Sequence, residues 1–210
     1  MLAINLLAAA FLFVAGTAFW TLAEYVLHRW GMHEAKGKGL ASREHLRHHA
    51  SYDSVLESWY LSWLGVLAFG AVHATWATLL VGPAGIALGV GWVAGFGFYE
   101  WIHWRAHRRP IANPYERWVR RHHFHHHFGH PMQNHGVTTP IWDLVFGTYV
   151  RVDGPVKVPR RLAMVWLVDD HGNVRGEYAD DWVLAGRRHL DDEQQAEDLE
   201  RAFSNLAPTV

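Results

Sequence analysis

Residues 58–99 read SWYLSWLGVLAFGAVHATWATLLVGPAGIALGVGWVAGFGFY, 42 consecutive positions without Asp, Glu, Lys or Arg. At about 1.5 Å per residue, this is roughly twice what one helix needs to cross a hydrocarbon core of about 30 Å. Gly82-Pro83-Ala84-Gly85 interrupts the run, and such a Gly/Pro cluster reads as a tight turn. The stretch is therefore predicted to split into two spans, Ser58–Val81 and Ala84–Tyr99, the second continuing as helix through Trp101 and Trp104. Working outward, residues 1–23 are also free of charge and reach about 34 Å as a helix. They lack the basic n-region of a signal peptide and exceed its usual apolar core, so they read as a third span. Gly85, Gly89, Gly91, Gly95 and Gly97 suit a bundle in which helix backbones approach closely.

The basic residues set the expected orientation. None occurs before Arg29 or between Arg47 and Arg105, so segments 29–47 and 105–121 are both expected on the cytoplasmic side, with the N-terminus outside and a hairpin between them. Beyond Val150 the chain is polar, holding 8 of the 19 basic and 12 of the 20 acidic residues, with a turn at Asp169–Asn173 and a helix from about Asp192. The expected architecture is an all-α membrane bundle with spans near 2–23, 58–81 and 84–104, and a soluble, cytoplasmic C-terminal tail over 151–210. Net charge −1 gives no global field for nucleic acid. The absence of cysteine excludes disulfides, thiolate metal sites, Fe–S clusters and cysteine nucleophiles. Gly89–Ala94 matches a dinucleotide fingerprint only formally, since it opens no strand–turn–helix unit.

Histidine supplies the chemistry. Fourteen of the 17 histidines fall within 28–49 and 103–135, the two segments that charge placement assigns to one membrane face. On a helix, positions i, i+3 and i+4 share a face, so His45, His48 and His49 can converge on one place, and His103 pairs with His107. His28 and His33, five apart, differ by about 140° on an ideal α-helix, so one is expected where the helix ends or bends. In the run 122–127 two registers are open, His122/His125/His126 and His123/His126/His127. His73, His171 and His189 read as ordinary histidines. A metal-buffering His-rich loop would need neither helical spacing nor two separated windows, and His33-Glu34 is not followed by the second His of a zinc-protease motif. This many imidazoles exceed one metal's ligand set, so two metals are implied, with iron, zinc, copper and nickel all compatible with the donor type.

Four boxes in order then resemble the integral-membrane fatty acid hydroxylase superfamily, which includes sterol desaturase-like enzymes and, more distantly, carotenoid hydroxylases. They are Glu24–His33, His45-Leu46-Arg47-His48-His49, His103-Trp104-Arg105-Ala106-His107 and His123–Phe128, followed by Asn134–Pro140 and Trp142–Tyr149. The resemblance spans roughly residues 20–150, making 1–150 a hydroxylase-like domain. Its His-x-x-His-His box, normally followed by an aromatic, favours His123/His126/His127 before Phe128.

The resemblance implies a di-iron centre held by His28, His33, His45, His48, His49, His103, His107, His123, His126 and His127, with zinc able to replace iron in isolated protein. It implies O2 as co-substrate and a lipid alkyl chain, foremost fatty acyl, hydroxylated from the bilayer. His122, His125, His130 and His135 are left as extra ligands or supports; His135 stands where the family commonly has an aromatic. Glu24, Glu100 and Asp143 are candidate acceptors that orient imidazoles, or salt partners for Arg29 or Arg105. The sequence shows no nucleotide-binding unit and no haem-binding His-Pro-Gly-Gly, so a separate electron donor such as a ferredoxin or cytochrome b5 is expected. The competing readings are a sterol or carotenoid hydroxylase or desaturase, a non-catalytic metal-binding or transport protein, and a degenerate scaffold.

Overall fold

The computed structural model describes residues 2–51, 59–189 and 191–210; Ser58, where the second expected span begins, lies outside them. Two helical stretches are long and apolar enough to cross a membrane, Asn5–His33 and Tyr60–Arg108. The second is interrupted at Gly82–Gly85 by one 3-10 turn between α3 (Trp59–Val81) and α4 (Ile86–Arg108). Gly82 adopts a positive φ of 76° there, which L side chains rarely tolerate. Trp92 Nε1 donates to the Val66 carbonyl at 3.1 Å, and Trp63 packs on Phe96 at 4.7 Å between ring centroids. Residue numbers fall along α3 as they rise along α4, so the two helices are antiparallel and fold back at the expected turn.

The first helix, α1 (Leu2–Val26), lies beside α4 in the same direction: Thr17 Oγ1 donates to the Gly91 carbonyl at 3.2 Å, and the Trp20 ring meets Phe96 at 4.9 Å. Small residues make these approaches possible. A β-carbon on Gly89 would strike the Gly70 carbonyl, and one on Gly91 the Phe13 carbonyl. In hydrocarbon, where no hydrophobic effect drives helices together, such close packing is the main source of association. Gly91→Val should therefore cost at least about 1–3 kcal/mol through overpacking, read as a lower midpoint of thermal aggregation in detergent. Leu7, Phe11, Leu64, Leu79 and Leu80 all point outward, as lipid-facing positions require. His73 donates from Nδ1 to the Phe69 carbonyl of its own helix at 2.7 Å and stacks on Trp92.

By compactness the chain divides into two units, Met1–Glu24 with Ser58–Trp101, and Tyr25–Glu57 with Ile102–Val210. The second unit holds α2 (Leu40–Ala50), α5 (Pro114–Phe128), α6 (Ile141–Phe146) and α7 (Asp192–Phe203). The start of α5 is written in Asn113-Pro114-Tyr115-Glu116: the Asn113 side chain accepts from the Glu116 N–H at 2.9 Å, and Pro114 occupies the first turn.

The all-α expectation is corrected by a short parallel sheet, β1 (Val156–Pro159) pairing with β2 (Trp182–Ala185) in the register Val156↔Trp182. Four-residue strands are too short to show alternation against the surrounding turns. The turn at Asp169 forms as read, the Asp169 carboxylate accepting from the His171 and Asn173 N–H groups at 2.9 and 2.8 Å. Val156, Val158, Met164, Trp166 and Trp182 from this region bury Phe124 and Phe128 of α5. Ala202 of α7 packs on Leu46 and Ala50 of α2. The tail thus backs the helices that carry histidine, and a buried Arg161–Asp198 pair with bonds of 2.8 and 2.7 Å ties α7 to the rest of the tail.

Candidate metal centre

Beyond Val26 the first helix changes character. Leu27–His33 is π-helical, with hydrogen bonds reaching back five residues, such as Glu34 N–H to the Arg29 carbonyl at 2.9 Å. The wider turn of i→i+5 bonding brings residues five apart to within roughly 50° of one another, against about 140° on an α-helix. This resolves the His28/His33 mismatch by a change of helix type, and both residues are buried.

Ten histidines converge as two groups of five: His28, His33, His45, His49 and His126 in one, His48, His103, His107, His123 and His127 in the other. Within each group the candidate ligand nitrogens all lie within 4.8 Å of one another. The expectation that His45, His48 and His49 share one place is corrected. His45 and His49 face the first group while His48 faces the second, and His126 and His127 divide likewise on α5. Of the two open registers, the structure gathers His123, His126 and His127.

Nε2–Nε2 separations are 3.0 Å for His28–His45, 2.9 Å for His33–His45, 3.0 Å for His33–His126 and 3.1 Å for His45–His49. In the second group they are 3.2 Å for His48–His103 and 2.9 Å for His107–His123. Nitrogens bound to one metal at about 2.1 Å lie roughly 3 Å from their nearest neighbours, which these spacings fit.

The proton positions test the fit independently. His28 Nδ1 meets the His135 carbonyl, His33 Nδ1 the Asn205 Oδ1 at 3.1 Å, and His126 Nδ1 the Gln133 carbonyl at 2.8 Å. These oxygens only accept, so each Nδ1 carries the proton and each neutral ring directs a lone pair inward from Nε2. Buried lone pairs gathered this closely, those of His33 and His126 3.0 Å apart and all three within 4.8 Å, repel unless a cation lies among them. Burial, the leading cause, together with neighbouring histidines, pushes the pKa of His45, His49, His123, His126 and His127 well below the usual imidazole range; burial does the same to His48, with His103 and Arg108. The neutral form is the one that binds metal. Among the described residues, buried His127 Nε2 and the Nδ1 atoms of His49, His107 and His123 have no hydrogen-bond partner.

The ends of the supporting helices are fixed by charge. Arg105 makes a two-pronged pair with Glu116, at 2.9 and 3.1 Å, and Arg120, fully buried, bonds Glu116 and the Arg105 and Arg109 carbonyls that end α4. Arg29 pairs with Glu34 at 3.0 Å. Arg29 and Arg105 thus each have an acidic partner, Glu34 and Glu116, that the sequence reading did not name. Glu24 and Glu100 belong to the other compact unit.

Asp143 is fully buried and accepts from the His135 and Gly136 N–H groups, both at 2.8 Å, from Thr148 Oγ1 at 2.7 Å and from His122 Nε2 at 3.4 Å. Burial alone would raise its pKa, yet these donors, His122 foremost, hold it far below the usual carboxylate range. His122 stacks on Trp118, His125 Nε2 meets Gln133 Oε1 at 3.1 Å, and His130 Nδ1 accepts from the Met132 N–H; none joins either group. His135 is fully buried, its ring centroid 5.3 Å from that of His126 and 5.5 Å from that of His28.

Two supporting residues escaped the sequence reading, Gln133 and Asn205. Asn205 sits just past α7 at a left-handed φ of 56° and grips His33 twice, Oδ1 on Nδ1 and Nδ2 donating to the backbone carbonyl at 3.2 Å. Such outer acceptors typically contribute about 10–100-fold in metal affinity. Asn205→Ala should weaken metal retention by the first group on that scale, measured by chelator competition, and leave the second unchanged.

The fatty acid hydroxylase family model matches residues 13–148. Ceramide very long chain fatty acid hydroxylase SCS7 of Saccharomyces cerevisiae is 30% identical over 159 residues, covering 72% of this chain and 41% of that protein. Dihydroceramide fatty acyl 2-hydroxylase FAH1 of Arabidopsis thaliana is 27% identical, with 69% and 62% covered, and the Homo sapiens fatty acid 2-hydroxylase is 26% identical, with 65% and 39%. The chain thus spans about two-fifths to three-fifths of the length of these relatives. No solved structure matches it. With the family model covering well over half of the chain and all four histidine boxes inside it, this protein belongs to the fatty acid hydroxylase family.

Proposed function

We propose that the protein is an O2-dependent, di-iron hydroxylase of a membrane lipid's fatty acyl chain, one iron held by each group of five histidines. The observation that carries this reading is the pair of convergent, buried imidazole sets in a fatty acid hydroxylase chain. Iron bound there would supply the activation of O2 needed to oxidise an unactivated C–H bond. The chain's own residues hold the Nδ1 protons of His28, His33 and His126 outward on carbonyl or amide oxygens, keep the Nε2 lone pairs of these rings inward, and bury both sets away from water. The names of the relatives point to fatty acyl chains over sterols or carotenoids, and to carbon 2 of the chain. Metal transport is disfavoured because both groups lie in one compact unit, with no ladder of ligand groups along the apolar helices among the described residues.

Three spans, with the N-terminus outside and the histidines and tail cytoplasmic, follow from the hairpin at Gly82–Gly85 and the placement of Lys and Arg. Residues 1–150 form the hydroxylase domain and 151–210 its tail. Hydroxylation leaves one O2 oxygen in the alcohol and the other in water, so two electrons must come from a donor such as a ferredoxin or cytochrome b5. Expression with lipid analysis and metal quantification tests this together: about two irons per chain and O2-dependent 2-hydroxy acyl lipid are expected. Purified protein that binds no transition metal sinks the proposal.

A further inference from the structure

Helix α6 inverts the usual surface pattern. An amphipathic helix of a globular unit buries its apolar stripe and shows its polar one. Here the side chain drawn inward is the Asp143 carboxylate, clamped by four donors, while Ile141, Leu144, Val145 and Phe146 are 55%, 60%, 63% and 40% exposed. Ile141, Leu144 and Val145 stand at i, i+3 and i+4, a single face. The turn cannot be rotated to hide them without uncovering Asp143 and stranding the His135 and Gly136 N–H groups.

This face does not stand alone. Phe146 stacks on Tyr25 at 5.0 Å and meets the Trp30 ring edge-on at 5.5 Å. Trp30 and Leu27, themselves 39% and 46% exposed, form the outward side of the π-helical turn whose inward side carries His28 and His33. That turn is the last part of the apolar stretch Asn5–His33, so the patch is continuous with a segment that leaves the bilayer. The Arg29 guanidinium lies 5.1 Å from the Trp30 ring centre, the pairing of a Trp with a snorkelling cation found at membrane–water boundaries. Exposed apolar patches of this kind mark interaction surfaces, and an apolar face beside an interfacial Trp and Arg fits lipid.

We propose that α6 and the outward side of the π-helical turn, through Leu27, Trp30, Ile141, Leu144, Val145 and Phe146, form a second membrane contact outside the spans, sunk in the boundary between lipid headgroups and acyl chains. It places the first histidine group directly behind a lipid-contacting surface, since Tyr25, which stacks on Phe146, meets His135 at 5.6 Å between ring centroids. The inference rests on the chain being a membrane protein and on nothing about its metal.

The absence of cysteine makes the test clean. Single-thiol variants Val145→Cys, Asp153→Cys and Leu79→Cys of the full chain, each carrying an environment-sensitive NBD label, are placed in phosphatidylcholine/phosphatidylglycerol nanodiscs. Their fluorescence is read against lipids bearing a nitroxide near the headgroup or deep in the chain, and against aqueous iodide. The label at Val145 should be blue-shifted, quenched more by the shallow nitroxide than by the deep one, and protected from iodide, consistent with a depth of about 5–10 Å. The label at exposed Asp153 should respond to iodide only, and that at Leu79 to lipid nitroxides only. A Val145 label as open to iodide as that at Asp153 overturns the proposal while leaving the spans intact if Leu79 still reports lipid. If neither Val145 nor Leu79 reports lipid, the membrane reading itself falls. Protection at Val145 without nitroxide quenching, lost when discs carry one copy each, would assign the face to a second copy and likewise overturn the proposal.

Discussion

His126→Ala and His127→Ala, substitutions at adjacent positions, are expected to weaken different metals. Successive residues on a helix project about 100° apart, and α5 uses that angle to send His126 into the group with His28, His33, His45 and His49, and His127 with His123 into the other. Combining His126→Ala with His33→Ala should therefore still leave one tightly held iron per chain, because both losses fall on one group. Combining His126→Ala with His127→Ala should leave neither tight. Every one of these variants should lose hydroxylated product, since the proposed reaction uses both metals.

The two groups should also differ in strength. The first has outer acceptors on three rings and leaves His49 Nδ1 without a hydrogen-bond partner, while in the second His107 and His123 both leave Nδ1 without one. A chelator should strip the second site first, by about 10–100-fold in apparent affinity for each missing outer partner. Metal content after graded chelation, followed by elemental analysis, decides the matter. Equal losses in the same-group and cross-group double variants would refute two separate sites.

The histidine content of this arrangement was legible in spacing; its division was not. The pattern His45-x-x-His48-His49 shows that three rings share one side of a helix, but whether 48 and 49 meet one ion or straddle two depends on what faces α2, namely His33 and His126 on one side and His103 and His107 on the other. Choosing His123 over His122 in the following run required the family pattern, because both registers satisfy helical spacing. The π-helical turn had no composition signal of its own; only the awkward five-residue gap between His28 and His33 hinted at it. The outer partners were least accessible. Asn205 lies 172 residues from the His33 it holds, and one Asn near a C-terminus looks like a turn residue. The polar tail gave no motif, yet it buries Phe124 and Phe128 behind the histidine face and delivers Asn205. Charge-free length fixed the apolar helices and their turn, since desolvation leaves few alternatives to such runs.

Asp143→Ala should be the most damaging change to a residue outside the two groups. Its carboxylate satisfies two buried backbone N–H groups, the Thr148 hydroxyl and His122, and its own backbone carbonyl receives the N–H groups of Thr148 and Tyr149 at 2.8 and 3.1 Å. Stranding a buried donor costs about 1–3 kcal/mol, so removing the carboxylate should cost on the order of 3–5 kcal/mol even after partial relaxation. The pH dependence has a definite sign. A carboxylate whose folded pKa is depressed contributes its full stabilisation above the unfolded value of about 3.9 and loses it only as pH falls toward the folded value. The cost at neutral pH is thus undiminished, and the difference between Asp143→Ala and the parent should shrink only in strong acid. The damage should reach the metal through one bond: the His135 N–H anchored by Asp143 belongs to the residue whose carbonyl orients His28. Freed of that anchor, His135 can swing and His28 can lose its proton acceptor, so iron in the first group should become chelatable while the second stays bound. Asp143→Asn keeps one acceptor but turns an NH2 toward a backbone donor, so it should fall between the two. A melting profile of Asp143→Ala matching the parent, with both irons retained, would show that this carboxylate neither braces the turn nor orients His28.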